Sequence, residues 1–323
     1  MDPGEALKRF DDWMVRGRKA RKTRENYLGH AKRYAKFRAP GARTAEEKIC
    51  AYLSNLAANR SAATQKQALN AMVSMYRALG KIDMVLPEWT RPVIKKRVPV
   101  WVTLEEALKL IELLPSPWDE VAALMYGSGL RIGEALYLRS QSLCSKTGTI
   151  TVRGGKGDKD RIVMLSRNMI PQLAKRYRIN RALFDQDRRN MRPGVELPET
   201  VRYKQPKAGT RWPWFWIFPA PGESTDPETG IVRRHHRHED GFSKALAIAV
   251  ELAQLHKRVT AHSFRHGFAT AYLSRGGTIH ELMELLGHTN IRTTEIYLHC
   301  LPELASRVIS PLGDVIIPFK KAA

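Results

Sequence analysis

Residues 262–300 read HSFRHGFATAYLSRGGTIHELMELLGHTNIRTTEIYLHC, and the rest of the chain is best understood outward from them. His262 and Arg265 stand three residues apart, so on a helix they are neighbours on one face. An apolar helix, ELMELLGH, follows and stops at Gly287, as helices commonly end on glycine. His288 comes in the turn, and Tyr297 follows nine residues later within TTEIYLHC. A cation pair, a second imidazole and a phenol in one short stretch are the groups needed to attack a phosphodiester. The competing reading is a helical hairpin whose His and Tyr are ordinary surface and core residues.

The whole chain has 323 residues, which points to two domains rather than one. Its 43% hydrophobic and 27% charged residues are those of a globular protein with a sizeable core. Lys and Arg outnumber Asp and Glu by 54 to 32, a formal charge of +22. Such an excess steers a protein onto a polyanion, nucleic acid first and anionic membrane second. No apolar run approaches the length of a membrane span, and the N-terminal MDPGEALKRFDDWM has no apolar signal segment. Cys50, Cys144 and Cys300 are far apart and odd in number, which suggests a reducing cytoplasm rather than disulfides or zinc.

From Met1 to about Leu86 the apolar residues recur at helical spacing, as in TRENYLGHAKRYAKFRA and SAATQKQALNAMVSMYRALG. Thr44 before Ala45, Glu46 and Glu47 marks a helix start. Residues 1–100 hold 22 Lys and Arg against 9 Asp and Glu, so over half of the net charge lies in under a third of the chain. Arg16, Arg18, Lys19, Arg21, Lys22 and Arg24 form the densest run. A charge run is usually a solvated face, but this concentration favours phosphate contact. The expectation is a helical DNA-clamping domain over residues 1–90, joined by a proline-containing basic linker over residues 91–102 to a catalytic domain over residues 103–315.

In that second domain a helix starts at Thr103, whose hydroxyl can cap the turn bearing Glu105 and Glu106. GSGLRIGEALYLR then sets Arg131 between a glycine-rich turn and an amphipathic helix, where a guanidinium can be held over a phosphate. TITVRGGKGDKDRIVML alternates on both sides of GGKGDKD and reads as a β-hairpin carrying Lys156 near its turn. The glycines there do not match the phosphate loop of nucleotide hydrolases, so ATP is not indicated. Residues 185–211 read as a polar insertion with a short helix at LPETVRYK. WPWFWIFPAPG and TDPETGIVRRHHRHEDGF follow. Core packing accounts for some of the aromatics from Trp212 to Trp216; interleaving with Arg and Lys also suits base stacking. His235, His236 and His238 lack the Cys or carboxylate company of a metal site.

Together, GLRIGE, GKG, HSFRH, LGH and IYLH resemble the tyrosine recombinases of the phage-integrase type, in the family's order and over essentially the whole chain. The resemblance implies a SAM-like four-helix N-terminal domain and a mixed α+β catalytic domain, with Arg131, Lys156, His262, Arg265, His288 and Tyr297 as the active site. Phe264 stands where many members carry leucine. RWPWFWIFPAPGESTDPETGIVRRHH and the insertion before it look like the extra segment of integron integrases, which act on folded single-stranded hairpins. By motif position Trp214, Pro227, His235 and His236 would hold bases that bulge from the hairpin, and the helix near Leu197–Lys204 would pack on a neighbouring subunit. An aromatic sometimes found just upstream of the GKG stretch is missing here, where the sequence reads TVRGGKGDKDR.

The implied chemistry is attack by Tyr297 to give a 3′-phosphotyrosyl link, with Arg131 and Arg265 neutralising the phosphate. His262 would act as base, His288 would orient the phosphate, and Lys156 would be the acid for the departing 5′-oxygen. No metal or other cofactor is called for. The implied partners are duplex and hairpin DNA and three further copies of the chain in a synaptic tetramer, in the bacterial cytoplasm with no membrane. A duplex-acting Xer-like or phage recombinase, a relaxing type IB topoisomerase and a DNA-binding protein with a dead site are the alternatives.

Overall fold

The computed structural model describes residues 2–81, 99–154 and 160–300. The chain divides into two compact units, residues 1–97 and 98–323. The first consists, in its described part, of helices α1 (Pro3–Arg16), α2 (Arg21–Lys36), α3 (Ala45–Asn59) and α4 (Ala62–Ala78). Their starts follow from local chemistry. Asp2 caps α1 and Ser61 caps α4, while Thr44 and Glu47 form a reciprocal capping box on α3. The apolar faces meet in a core that includes Phe10, Met14, Tyr34, Ile49, Leu53 and Met72. Within it the Tyr34 and Tyr76 hydroxyls lie 2.8 Å apart and satisfy each other.

In the second unit, α5 (Leu104–Leu113), α6 (Trp118–Ser128) and α7 (Ile132–Leu136) precede an antiparallel sheet of β1 (Leu143–Cys144), β2 (Thr149–Val152) and β3 (Arg161–Met164), ordered β1-β2-β3. The expected hairpin is therefore present; Lys156 lies outside the described residues. Next come α8 (Ile170–Arg189), the short α9 (Glu199–Lys204), and a two-stranded ribbon of β4 (Pro219–Thr225) and β5 (Val232–His236). Helices α10 (Glu239–Leu252), α11 (Ala261–Ser274) and α12 (Ile279–Leu286) lead into a 3₁₀ segment, Glu295–Cys300.

The Thr103 cap is a capping box with Glu106, and Thr278 with Glu281 starts α12 in the same way. Gly287 ends α12 in the left-handed conformation at φ 61°, where a side chain would be strained. The main core joins α5, α6, α7, α10 and α11 through Val121, Leu124, Phe242 and Phe264, with Ile150 and Val163 from the sheet. Residues 185–189, which the sequence places at the head of an insertion, form the last turn of α8. Asp187 there is buried and gives both carboxylate oxygens to Arg234 on β5, at 2.6 and 2.8 Å. Among the described residues no helix is long and apolar enough to cross a membrane.

Candidate active site

The site is built where the N-terminus of α7, the strand β3 and the helices α11 and α12 converge. Arg131 is the residue before α7. Its amide donates to Glu134 Oε2 at 2.8 Å and its guanidinium to Glu134 Oε1 at 2.7 Å. Arg161 reaches the same carboxylate from β3 with two bonds, at 2.9 and 2.7 Å, and also donates to the Leu285 carbonyl. Arg265 stands 3.7 Å from Glu134 Oε2. One carboxylate thus gathers three arginines. Burial would raise the Glu134 carboxyl, but the Arg161 hydrogen bonds, the Arg131 amide and the charges of Arg161 and Arg131 outweigh it and hold the pKa down to about 2.

A group whose folded pKa lies below its unfolded value stabilises the fold above the unfolded pKa and loses that contribution as pH falls. Glu134→Gln is therefore expected to cost about 3–5 kcal/mol, the usual loss when one partner of a buried ion pair is removed. The deficit relative to wild type should be full above pH 4.5, the ordinary glutamate value, and should shrink as pH falls toward 2. Denaturant melts of both proteins across that range check this; a deficit independent of pH would contradict it.

Arg265 is 3% exposed and donates to the carbonyls of Gly129 at 2.7 Å and Leu286 at 2.5 Å. Burial first, and Arg131's like charge second, lower its pKa to about 9, so it stays charged at neutral pH. Gly129 has φ 65°, and a Cβ there would sit 2.5 Å from the Phe268 ring, so glycine is required for its carbonyl to meet Arg265. Arg265 also approaches His288 Nε2 at 3.1 Å. A guanidinium can only donate, so Nε2 accepts and Nδ1 carries the proton, which goes to Thr294 Oγ1 at 2.9 Å. That pair of bonds fixes both the tautomer and the tilt of the imidazole.

Tyr297, on the 3₁₀ segment, is 2% exposed and packs with Phe268, Ala269, Leu273, Leu282 and Leu286. Its hydroxyl lies 2.9 Å from Nδ1 of His266. His262, expected as the base, is one helical turn earlier on α11, its ring centroid 6.3 Å from that of His266. It presents surface to solvent, yet its surroundings lower its pKa, through desolvation first and then the charges of Arg265 and Arg131. His262 and Arg265 are one turn apart on α11 and near enough for Arg265's charge to act on the imidazole, but they differ in burial: Arg265 turns into the core while His262 stays at the surface. Arg131, Arg265 and His288 are brought together, Tyr297 joins through His266, and Glu134, Arg161, His266 and Thr294 are participants the sequence reading missed. The GLRIGE and HSFRH motifs contain Glu134 and His266, so spacing held a signal for those two.

The other singled-out residues fall elsewhere. His236 lies against Tyr137, ring centroids 4.2 Å apart, and against Trp216 at 5.1 Å. Trp214 is half-buried beneath Arg139, whose guanidinium stands 5.4 Å from its ring and 3.8 Å from that of Trp216. His235 Nδ1 is 3.6 Å from Glu196, and His238 caps α10. Pro227 is exposed in the β4–β5 turn, at the opposite end of the ribbon from His236. Of the basic run, Arg16, Arg18, Lys19, Arg21 and Lys22 are exposed. Arg24 is half-buried against Asp11 at 3.2 Å, and Arg21 pairs with Glu25 at 2.8 Å.

The chain belongs to the phage integrase family, the tyrosine recombinases: residues 101–303 match the phage integrase family and residues 7–84 the phage integrase N-terminal SAM-like domain. It is 39% identical over 303 residues to an integrase/recombinase of Escherichia coli, covering 92% of this chain and 89% of that one. It is 27% identical over 302 residues to tyrosine recombinase XerA of Thermococcus kodakarensis, covering 92% and 91%. The fold is also that of a lambda integrase(75-356) dimer bound to a COC′ core site, with a TM-score of 0.62 at 18% identity over 91% of this chain and 94% of that one. The helical first unit and the mixed second unit are thus those of a DNA recombinase.

Proposed function

We propose that this recombinase is an integron integrase, a cytoplasmic bacterial enzyme that moves gene cassettes by cutting and rejoining DNA, including sites folded as single-stranded hairpins. Cleavage begins when Tyr297 Oη attacks the phosphorus, forming a 3′-phosphotyrosyl bond as the bond to the 5′-oxygen breaks. His262, neutral at pH 7 because its pKa is lowered, takes the phenol proton. Lys156 gives a proton to the departing 5′-oxygen. Arg131 and Arg265 hold the charge that develops on the non-bridging oxygens, and His288 orients the phosphate. A 5′-hydroxyl of the partner strand then attacks the phosphotyrosine, restoring the phosphodiester and the phenol. The bond energy is conserved, so neither ATP nor a metal is called for. Exchange between two sites takes four copies of the chain.

The helical unit grips the duplex. Its basic run opens α2 with Arg21, Lys22 and Arg24 and no acidic residue in the first turn. Cations at the positive end of a helix dipole repel it, a cost that DNA phosphates relieve.

The observation that carries the hairpin reading is the aromatic shelf around His236. Tyr137 is 56% exposed against it, and Trp214 lies beside it through Arg139 and Trp216. Flat rings backed by the half-buried guanidinium of Arg139 suit an unstacked base. Replacing Trp214, or His235 and His236 together, with alanine is expected to weaken hairpin binding roughly 5- to 150-fold, at about 1–3 kcal/mol per stack. Binding to a regular duplex site should change much less, since it offers no flipped base. Titration of both substrates checks this; equal loss on the two, with a lowered melting temperature, would make these residues structural. A Xer-like enzyme acting on duplex sites is the second reading, favoured by the similarity to XerA along nearly the whole of both chains. Bottom-strand against top-strand hairpins as recombination substrates separate the two.

A further inference from the structure

A phenol that attacks a phosphate must lose its proton, and the nitrogen that faces the Tyr297 hydroxyl belongs to His266. Its Nδ1 lies 2.9 Å from that oxygen, with the two ring centroids 5.5 Å apart. With the hydroxyl as donor, Nδ1 accepts and Nε2 carries the ring proton. His266 follows Arg265 directly on α11 and stands one turn after the exposed His262, the two imidazole centroids being 6.3 Å apart. Burial is the main influence on Arg265, but the charge that Tyr297 would carry without its proton acts on it too, so this contact is made close to the phosphate-binding cations. A candidate base is judged first by its reach to the proton it would take, and only then by its pKa. His266 has that reach.

We propose that His266 is a catalytic residue: it is the first acceptor of the Tyr297 proton and hands a proton on to His262. The proposal rests on Tyr297 being the nucleophile, and it supplies the route by which the phenol proton reaches the His262 base. As Oη bonds to phosphorus, Nδ1 of His266 takes the phenol proton. Nε2 then releases its own proton to His262, across a gap that one water can bridge. His266 ends neutral, with its ring proton moved from Nε2 to Nδ1, and His262 carries the added charge at the surface. Burial first, then the charges of His262 and Arg265, lower the His266 pKa to about 4. The ring is therefore free to accept at neutral pH, yet too weak a base to keep what it receives. Rejoining runs the transfers backward: the departing phenol oxygen recovers the Nδ1 proton, and His262 returns one to Nε2.

The test follows covalent attachment to a nicked suicide duplex in single turnover at saturating DNA. His266→Phe keeps a ring, and His266→Gln can still accept a bond from Oη but cannot take the proton; His262→Phe and Tyr297→Phe run in parallel. Both His266 variants should attach roughly 10²- to 10⁴-fold more slowly, the usual worth of a general base, with DNA affinity little changed. A fluorotyrosine in place of Tyr297, whose phenol is more acidic, should recover part of that loss. A 5′-bridging phosphorothiolate, whose leaving group needs no acid, should not. Near wild-type attachment in His266→Gln, or in His266→Phe while His262→Phe is slow, would overturn the proposal and leave His262 as the base alone. A loss that fluorotyrosine does not touch would make His266 a packing residue, and rescue by the phosphorothiolate would move it to the leaving-group side; either overturns the proposal. Attachment that persists in Tyr297→Phe would instead refute the assignment of the nucleophile.

Discussion

Tyr297→Phe is expected to abolish covalent attachment to DNA while leaving DNA affinity within a few-fold of wild type. The phenol oxygen is the only nucleophile in the proposed scheme, so its removal leaves no route to a protein–DNA bond. It contributes little to holding DNA beside two arginines, and its ring packs in an apolar cluster. Phenylalanine also keeps the ring that packs against Phe268 and Leu286. The change removes the bond to His266 without opening a cavity, and the fold should survive. Gel-shift titration and denaturing gels of suicide-substrate reactions read the two quantities separately. An adduct in Tyr297→Phe at any rate near wild type would remove Tyr297 from its role.

Arg265→Lys is the second large effect. Preorganised donors aimed at a developing oxyanion are worth roughly 10²–10³ in rate each. A lysine keeps the charge but cannot reproduce a planar fork that reaches Gly129, Leu286 and His288 at once. Attachment should therefore fall roughly 10²- to 10³-fold in Arg265→Lys, with binding much less affected. Arg131→Ala should slow attachment on a similar scale with a smaller effect on folding, since its side chain is 24% exposed and Arg161 keeps Glu134 engaged. Single-turnover rates and thermal melts, taken together, distinguish lost chemistry from lost structure. Near wild-type attachment in both variants would show that these cations do not meet the scissile phosphate.

What was legible in the sequence was mostly local. Thr44, Thr103 and Thr278 cap helices through residues three positions away, and Gly287 ends one by its own backbone freedom, so a short window contains the whole cause. The alternation around GGKGDKD likewise announces two strands. The site was legible as a set of residue types but less so as an arrangement. His262 and Arg265 are neighbours on α11, yet the edge of the buried face passes between them, and only packing against α6 and α12 decides where that edge falls. Glu134 and Arg161 are 27 positions apart, and nothing in either segment says that they meet. Asp187 reads as one more polar residue of a loop because Arg234, which makes its burial tolerable, lies 47 positions on. His266 was overlooked beside the more familiar pair, although it makes the contact with Tyr297.

The central claim is that Tyr297 forms the bond to DNA. It is tested most directly by trapping the protein on a nicked suicide duplex, digesting protein and DNA, and locating the modified peptide by mass spectrometry. The account predicts a nucleotide joined through its 3′-phosphate to Tyr297 in the peptide containing TTEIYLHC, with a free 5′-hydroxyl on the released strand. A nucleotide on any other residue, or a linkage through a 5′-phosphate, would contradict it.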